Sequence, residues 1–148
     1  MELRHSGTPR IWATGTAAPC LSLYKPVYFG ADTLDGERCS APGPKADSSY
    51  WWTWEQWHRR ALARYPEAHS LWKEHLAPLE RSWMGKEEEM IRSGRINDEA
   101  AAFSNHCFDD SLAAMERAKA VIGVGRPPYT GLSYGVHWNR WNRQAGIK

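Results

Sequence analysis

Residues 10–30 read RIWATGTAAPCLSLYKPVYFG. Two β-favouring pieces, 11–16 and 20–29, flank the short break Ala17-Ala18-Pro19. In the second piece Leu21, Leu23 and, past Pro26, Val27 and Phe29 fall on alternate positions, the period-2 pattern of a half-buried strand. Pro26 has no N–H and belongs at a sheet edge or a bulge. The expectation is a β-hairpin over 10–30. A two-stranded sheet is not independently stable in water, and its unpaired edges invite addition to a larger sheet.

Outward from the hairpin, residues 31–49 are rich in Gly, Pro, Asp and Ser and read as a long loop. Helical spacing then dominates. Trp51, Trp54, His58, Ala61 and Tyr65 share one face, with Ser48 or Ser49 as the cap. Pro66 suits the first turn of a new helix. Trp72, Leu76, Leu79, Trp83 and Met90 form a second stripe, which Pro78 should kink. A third helix is expected after an Asn97 or Asp98 cap. It carries Phe108, Leu112, Met115 and Ile122 on one stripe, with Phe103, Cys107 and Ala114 beside it. Gly123 and Gly125 should end it. The chain thus reads as one α+β domain over 1–148. It consists of a hairpin (10–30), a loop (31–49), a helical region of three helices (50–125) and a C-terminal extension (126–148) to which the pattern assigns no element.

Hydrophobic residues make up 42% of the chain and charged residues 24%, enough for a core under a polar surface. Nine Trp are unusual. Buried indoles need a partner for each N–H, so they imply either an aromatic core or an interface with another chain. A net charge of +2, mixed along the chain, gives no argument for nucleic acid. No apolar run is long enough for a membrane span, and the first ten residues lack a signal-peptide core. The expected location is cytoplasmic. Cys20, Cys39 and Cys107 are widely spaced and odd in number, so they read as reduced thiols.

Three segments together resemble a known family. They are IWATGTAAPCLSLYKPVYF, then YWWTWEQWHRRALARYP, then Leu71-Trp72 followed, after five intervening residues, by Pro78-Leu79-Glu80. In this order, over 10–122, they are similar to the C-terminal, post-nucleophile part of the secernin and dipeptidase branch of the N-terminal-nucleophile hydrolases. The resemblance implies a four-layer αββα fold and amide-bond cleavage by an N-terminal Cys whose own α-amine is the general base. The family places that Cys far upstream of the Thr-Gly-Thr segment. Here Met1 is followed by Glu2, and removal of Met exposes no Cys, Ser or Thr. The expected arrangement is therefore a separately encoded chain that carries the nucleophile and most of the sheet, acting on an amide or peptide substrate. The present chain would be its non-nucleophile subunit, inactive alone. A truncated fragment is the other explanation. A stand-alone helical protein-binding module without a hydrolase role is the rival from another class.

Candidate residues follow. Thr14, Gly15 and Thr16, at a strand end, are the expected substrate-binding segment, where hydroxyls and backbone N–H groups line a cleft. No catalytic residue is expected in this chain, and no cofactor or metal. His69 and His75 are six apart and cannot share a helix face as zinc ligands would. Cys20 reads as a small buried hydrophobe. Lys25 reads as a solvated strand-end lysine, and the run Glu87-Glu88-Glu89 as a solvated face. The aromatic and basic cluster Trp138, Arg140, Trp141 and Arg143 reads as an anchor on a partner subunit.

Overall fold

A computed structural model describes residues 9–14, 17–30, 41–123, 125 and 132–147, with the backbone alone for 132–134. The architecture is α+β and mostly helical, with one two-stranded antiparallel hairpin. Strand β1 (Arg10–Ala13) pairs with β2 (Lys25–Tyr28) in the register Arg10↔Tyr28 to Ala13↔Lys25. Both strands are shorter than the sequence suggested. A 3₁₀ turn, Pro19–Leu21, occupies the connection.

The alternation holds only in part. Leu21, Leu23 and Lys25 are buried, but beyond Pro26 it is Tyr28 that turns inward while Phe29 is 52% exposed. Lys25 and its neighbour Pro26 are both buried. The strand is therefore covered on both sides at its start, and a single-face pattern cannot persist through it.

Helix α1 (Tyr50–Ala63) is capped by Ser49, whose side chain accepts from Trp52 N–H at 3.4 Å. Helix α2 (Tyr65–Leu71) starts with Pro66 in its first turn. It passes through a π-helical turn, Trp72–Leu76, into α3 (Ala77–Arg92). There the N–H of Ala77 reaches back five residues to the carbonyl of Trp72. The widened turn lies immediately ahead of Pro78, which has no N–H to offer and whose ring crowds the preceding turn. Pro78 thus acts through the register of the helix.

Helix α4 (Ile96–Val121) begins without a side-chain cap. The expected Asn97 or Asp98 cap is overridden by the end of α3. Gly94, at φ +73°, takes the left-handed conformation that costs glycine least. Arg95 N–H then bonds Met90 C=O and Gly94 N–H bonds Ile91 C=O, closing a Schellman-type end. The chain re-enters helix at once, so Asp98 and Glu99 lie in the first turn, where acids suit the helix dipole. The 126–148 extension, unassigned from pattern, contains helix α5 (Leu132–Ala145).

The core lies between α1, α3, α4 and β2. Its largest fully buried side chains include Trp54, Trp57, Trp83, Tyr28, Leu23 and Met115. On α4 the expected stripe is buried at Phe103, Cys107, Phe108, Ala114, Met115 and Ile122, with Leu112 only partly so. On α1 the expected face holds at Trp54 and Ala61, both buried, but Trp52 and Trp57 are buried as well, Trp51 and His58 are only partly covered, and Tyr65, just beyond the helix, is 51% exposed. Among the described residues no helix is long and apolar enough to cross a membrane.

Three side-chain expectations are overturned. Glu87 is 2% exposed and Lys25 1%, so neither is solvated. Cys20 is exposed on the 3₁₀ turn, because Leu21 takes the inward position there.

Candidate functional site

The hairpin connection is mounted on the helices by indoles. Trp57 Nε1 donates to Leu21 O and Trp72 Nε1 to Ser22 O, both at 3.0 Å. The N–H of Tyr24 donates to the Glu80 carboxylate at 2.7 Å. Two loop carbonyls and one loop amide are thereby fixed from behind by α1, the π turn and α3. A loop held this way loses little further freedom when it meets a ligand, which favours binding.

At the strand end of this loop, Thr14 Oγ1 and Ser22 Oγ lie 2.7 Å apart, sharing a hydrogen bond. Of the expected segment, Thr14 is thus tied to Ser22, while Gly15 and Thr16 lie outside the described residues. Cys20 presents its thiol on the same connection. Among the described residues no His, Asp or Glu bonds to it, so no nucleophile–base pair is assembled there.

Beneath the hairpin sits a buried carboxylate. Tyr28 Oη donates to Glu87 Oε1 at 2.5 Å, Trp12 Nε1 to Glu87 Oε2 at 3.2 Å, and Arg10 Nη1 pairs with Oε2 at 2.9 Å. Glu87 therefore clamps both strands to α3. Burial pushes the Tyr28 hydroxyl well above its usual range, and the hydrogen bond and charge of Glu87 add to this against an opposing Arg10. Burial likewise pushes the nearby Cys107 thiol up to about 12, with the charge of Asp110 next in size. Both groups are neutral and inert at ordinary pH, which marks this centre as structural.

Comparison of the chain with protein-family models, curated proteins and solved structures finds no match. The likeness to N-terminal-nucleophile hydrolases accordingly stands on the three sequence segments alone.

Lys25 is enclosed by rings. Its Nζ donates to Leu23 O at 2.6 Å and lies 4.9 Å from the Tyr50 centroid, 5.3 Å from Phe108 and 5.5 Å from Trp54. Such a cage stabilises a cation that water cannot reach. The sequence signal for it was the phase of Leu21 and Leu23, which Lys25 continues. For Glu87 the signal was its position four residues after Trp83 and three before Met90, on the apolar face of α3.

A second polar cluster joins α5 to α1. Glu55 pairs with Arg59 at 2.8 Å and with His58 Nδ1 at 3.2 Å. Burial raises the Glu55 carboxyl, but His58 and Arg59 together outweigh it and hold the group below its usual value. Arg59 in turn stacks on Trp138, 4.6 Å from the ring centroid, and bonds Asn142 Oδ1. Trp138 is thus an anchor onto the chain's own α1, while Trp141 is 49% exposed and Arg140 and Arg143 are also exposed. A groove of about 330 Å³ between the π turn and the end of α4 is lined by Leu71, Leu76, Ala114 and Ala118 with His75 and Arg117. Among the described residues its lining carries no thiol, hydroxyl or carboxylate.

Proposed function

We propose that this chain is the non-nucleophile subunit of a two-chain amidohydrolase of the N-terminal-nucleophile type. Its partner supplies the Cys nucleophile and most of an αββα core, and the assembly hydrolyses a peptide or other amide bond. The observation that carries the reading is the hairpin connection. Its sequence is the specific part of the resemblance. Its hydroxyl-bearing end, Thr14 with Ser22, is held by Trp57, Trp72 and Glu80, as a cleft wall must be. The reading is tested by co-expression with a chain bearing a processed N-terminal Cys. A stoichiometric complex that turns over dipeptides or amides, with neither chain active alone, is the expected result. Two separately eluting, inactive proteins would refute it.

A second reading has an observation of its own. The indole N–H groups of Trp12, Trp52, Trp57, Trp72 and Trp83 all bond within the chain. The tryptophan content is therefore largely used in the core, which fits a self-sufficient helical binding module. That module would be a monodisperse monomer with one cooperative melt and no dependence on a partner.

A further inference from the structure

We propose that the groove between the π turn and the end of α4 binds a small monocarboxylate with an apolar body, such as a medium-chain aliphatic acid. The proposal does not rest on the two-chain reading. The groove exists because its two walls fall short of each other. Helix α4 faces it with Ala114 and Ala118, one turn apart, whose side chains end at a methyl. Opposite them the helix is widened into the π turn, a local form that recurs at functional sites. Leu71, Leu76 and Val121 complete the apolar lining. The volume, about 330 Å³, lies at the lower end of the range for small-molecule pockets.

Two polar side chains line this space, His75 from the π turn and Arg117 from α4. Both are exposed, and neither makes a hydrogen bond or an ion pair among the described residues. Glu116, next to Arg117, is taken up by Lys119 at 2.6 Å. Arg117 offers donors only, and an imidazole donates from whichever ring nitrogen holds its proton. Donors beside an apolar floor, with no carboxylate among the lining side chains, select an anion that has an apolar body. A carboxylate meets the planar guanidinium fork with two parallel hydrogen bonds. The charge is limited to one. Past Leu71, His75 and Val121 the groove continues into a shallower part lined by Glu67 and Glu74. Those two acids repel a second negative charge on the ligand.

The test is an amide NMR titration of the full-length chain with octanoate, octanamide and octyl phosphate. Octanoate is expected to shift the amides of residues 71–76 and 114–121. It should bind about tenfold or more tightly than octanamide, which has the same body without the charge. Arg117→Gln, at an exposed position that the fold does not need, should weaken octanoate about tenfold and leave octanamide unchanged. The titration uses this chain alone, so no outcome bears on the two-chain reading. Equal binding of octanoate and octanamide, or tighter binding of octyl phosphate, overturns the proposal. So does an octanoate affinity untouched by Arg117→Gln, or octanoate shifts that fall outside the groove or are absent.

Discussion

Replacing Glu87 by Ala tests whether the buried carboxylate clamps the hairpin to α3. The wild-type group accepts from Tyr28 and Trp12 and pairs with Arg10, whose side chain is 12% exposed. Removing one partner of a buried ion pair costs about 3–5 kcal/mol, because the remaining charge stays away from water. For a chain of this size each kcal/mol shifts Tm by about 2–4 °C, so the expected fall is roughly 6–20 °C. Glu87→Gln keeps an acceptor for Tyr28 but loses the charge and the second acceptor oxygen, the one that takes the Trp12 N–H and Arg10. It should cost less, about 1–3 kcal/mol. The neighbours supply internal controls: Glu88 and Glu89 are exposed, and Glu88→Ala and Glu89→Ala should leave Tm within about 2 °C. Thermal and urea unfolding of the four variants is the assay. A Glu87→Ala melt indistinguishable from those controls would refute the clamp and return the whole run to solvent.

Stability should also fall on the alkaline side. The Cys107 thiol is raised from 9.0 to about 12 in the fold, so the unfolded chain gives up its proton first. The Cys107 contribution is then constant below pH 9 and is lost as pH rises toward 12, a loss on the order of 4 kcal/mol that Cys107→Ala should lessen in pH-dependent unfolding curves. Ser104→Ala strips the Pro26 carbonyl of its donor and should cost about 1–3 kcal/mol in urea unfolding. Trp72→Phe frees the Ser22 carbonyl; faster amide exchange across residues 20–24 with little change in α4 is the expected outcome. Thr14→Val breaks the Thr14–Ser22 hydrogen bond and should lower kcat/KM of the reconstituted complex about 5- to 100-fold with the complex intact, whereas unchanged kinetics would reduce the segment to scaffolding.

How much was legible in the sequence depends on what each residue answers to. The hairpin, the Ser49 cap and the α4 stripe follow from local pattern, because one apolar face decides them. Proline chemistry placed the start of α2 and the disturbance before Pro78, though it gave a kink where the chain makes a π turn. The buried Lys25 and Glu87 were misread because their charges are compensated by residues far along the chain, three aromatic rings in one case and Arg10 and Tyr28 in the other. No window of neighbours contains those partners. Cys20 went wrong for the opposite reason: a strand was assumed where a 3₁₀ turn redirects one side chain. Helix α5 was hidden by its Gly, Asn and Trp content. Its anchors, Arg59 and Ala46, are both outside its own segment. Of the expected site, Thr14 shows a hydroxyl pairing with Ser22 that spacing alone does not reveal.

The most direct test of the central claim is the native mass of the purified chain, alone and after co-expression with a chain carrying an N-terminal Cys. The two-chain account predicts one stoichiometric heteromer with amidase activity, and no turnover of dipeptides by this chain alone. A monodisperse, cooperatively melting monomer that ignores the second chain would contradict it. So would turnover by the isolated chain that Cys20→Ala abolishes.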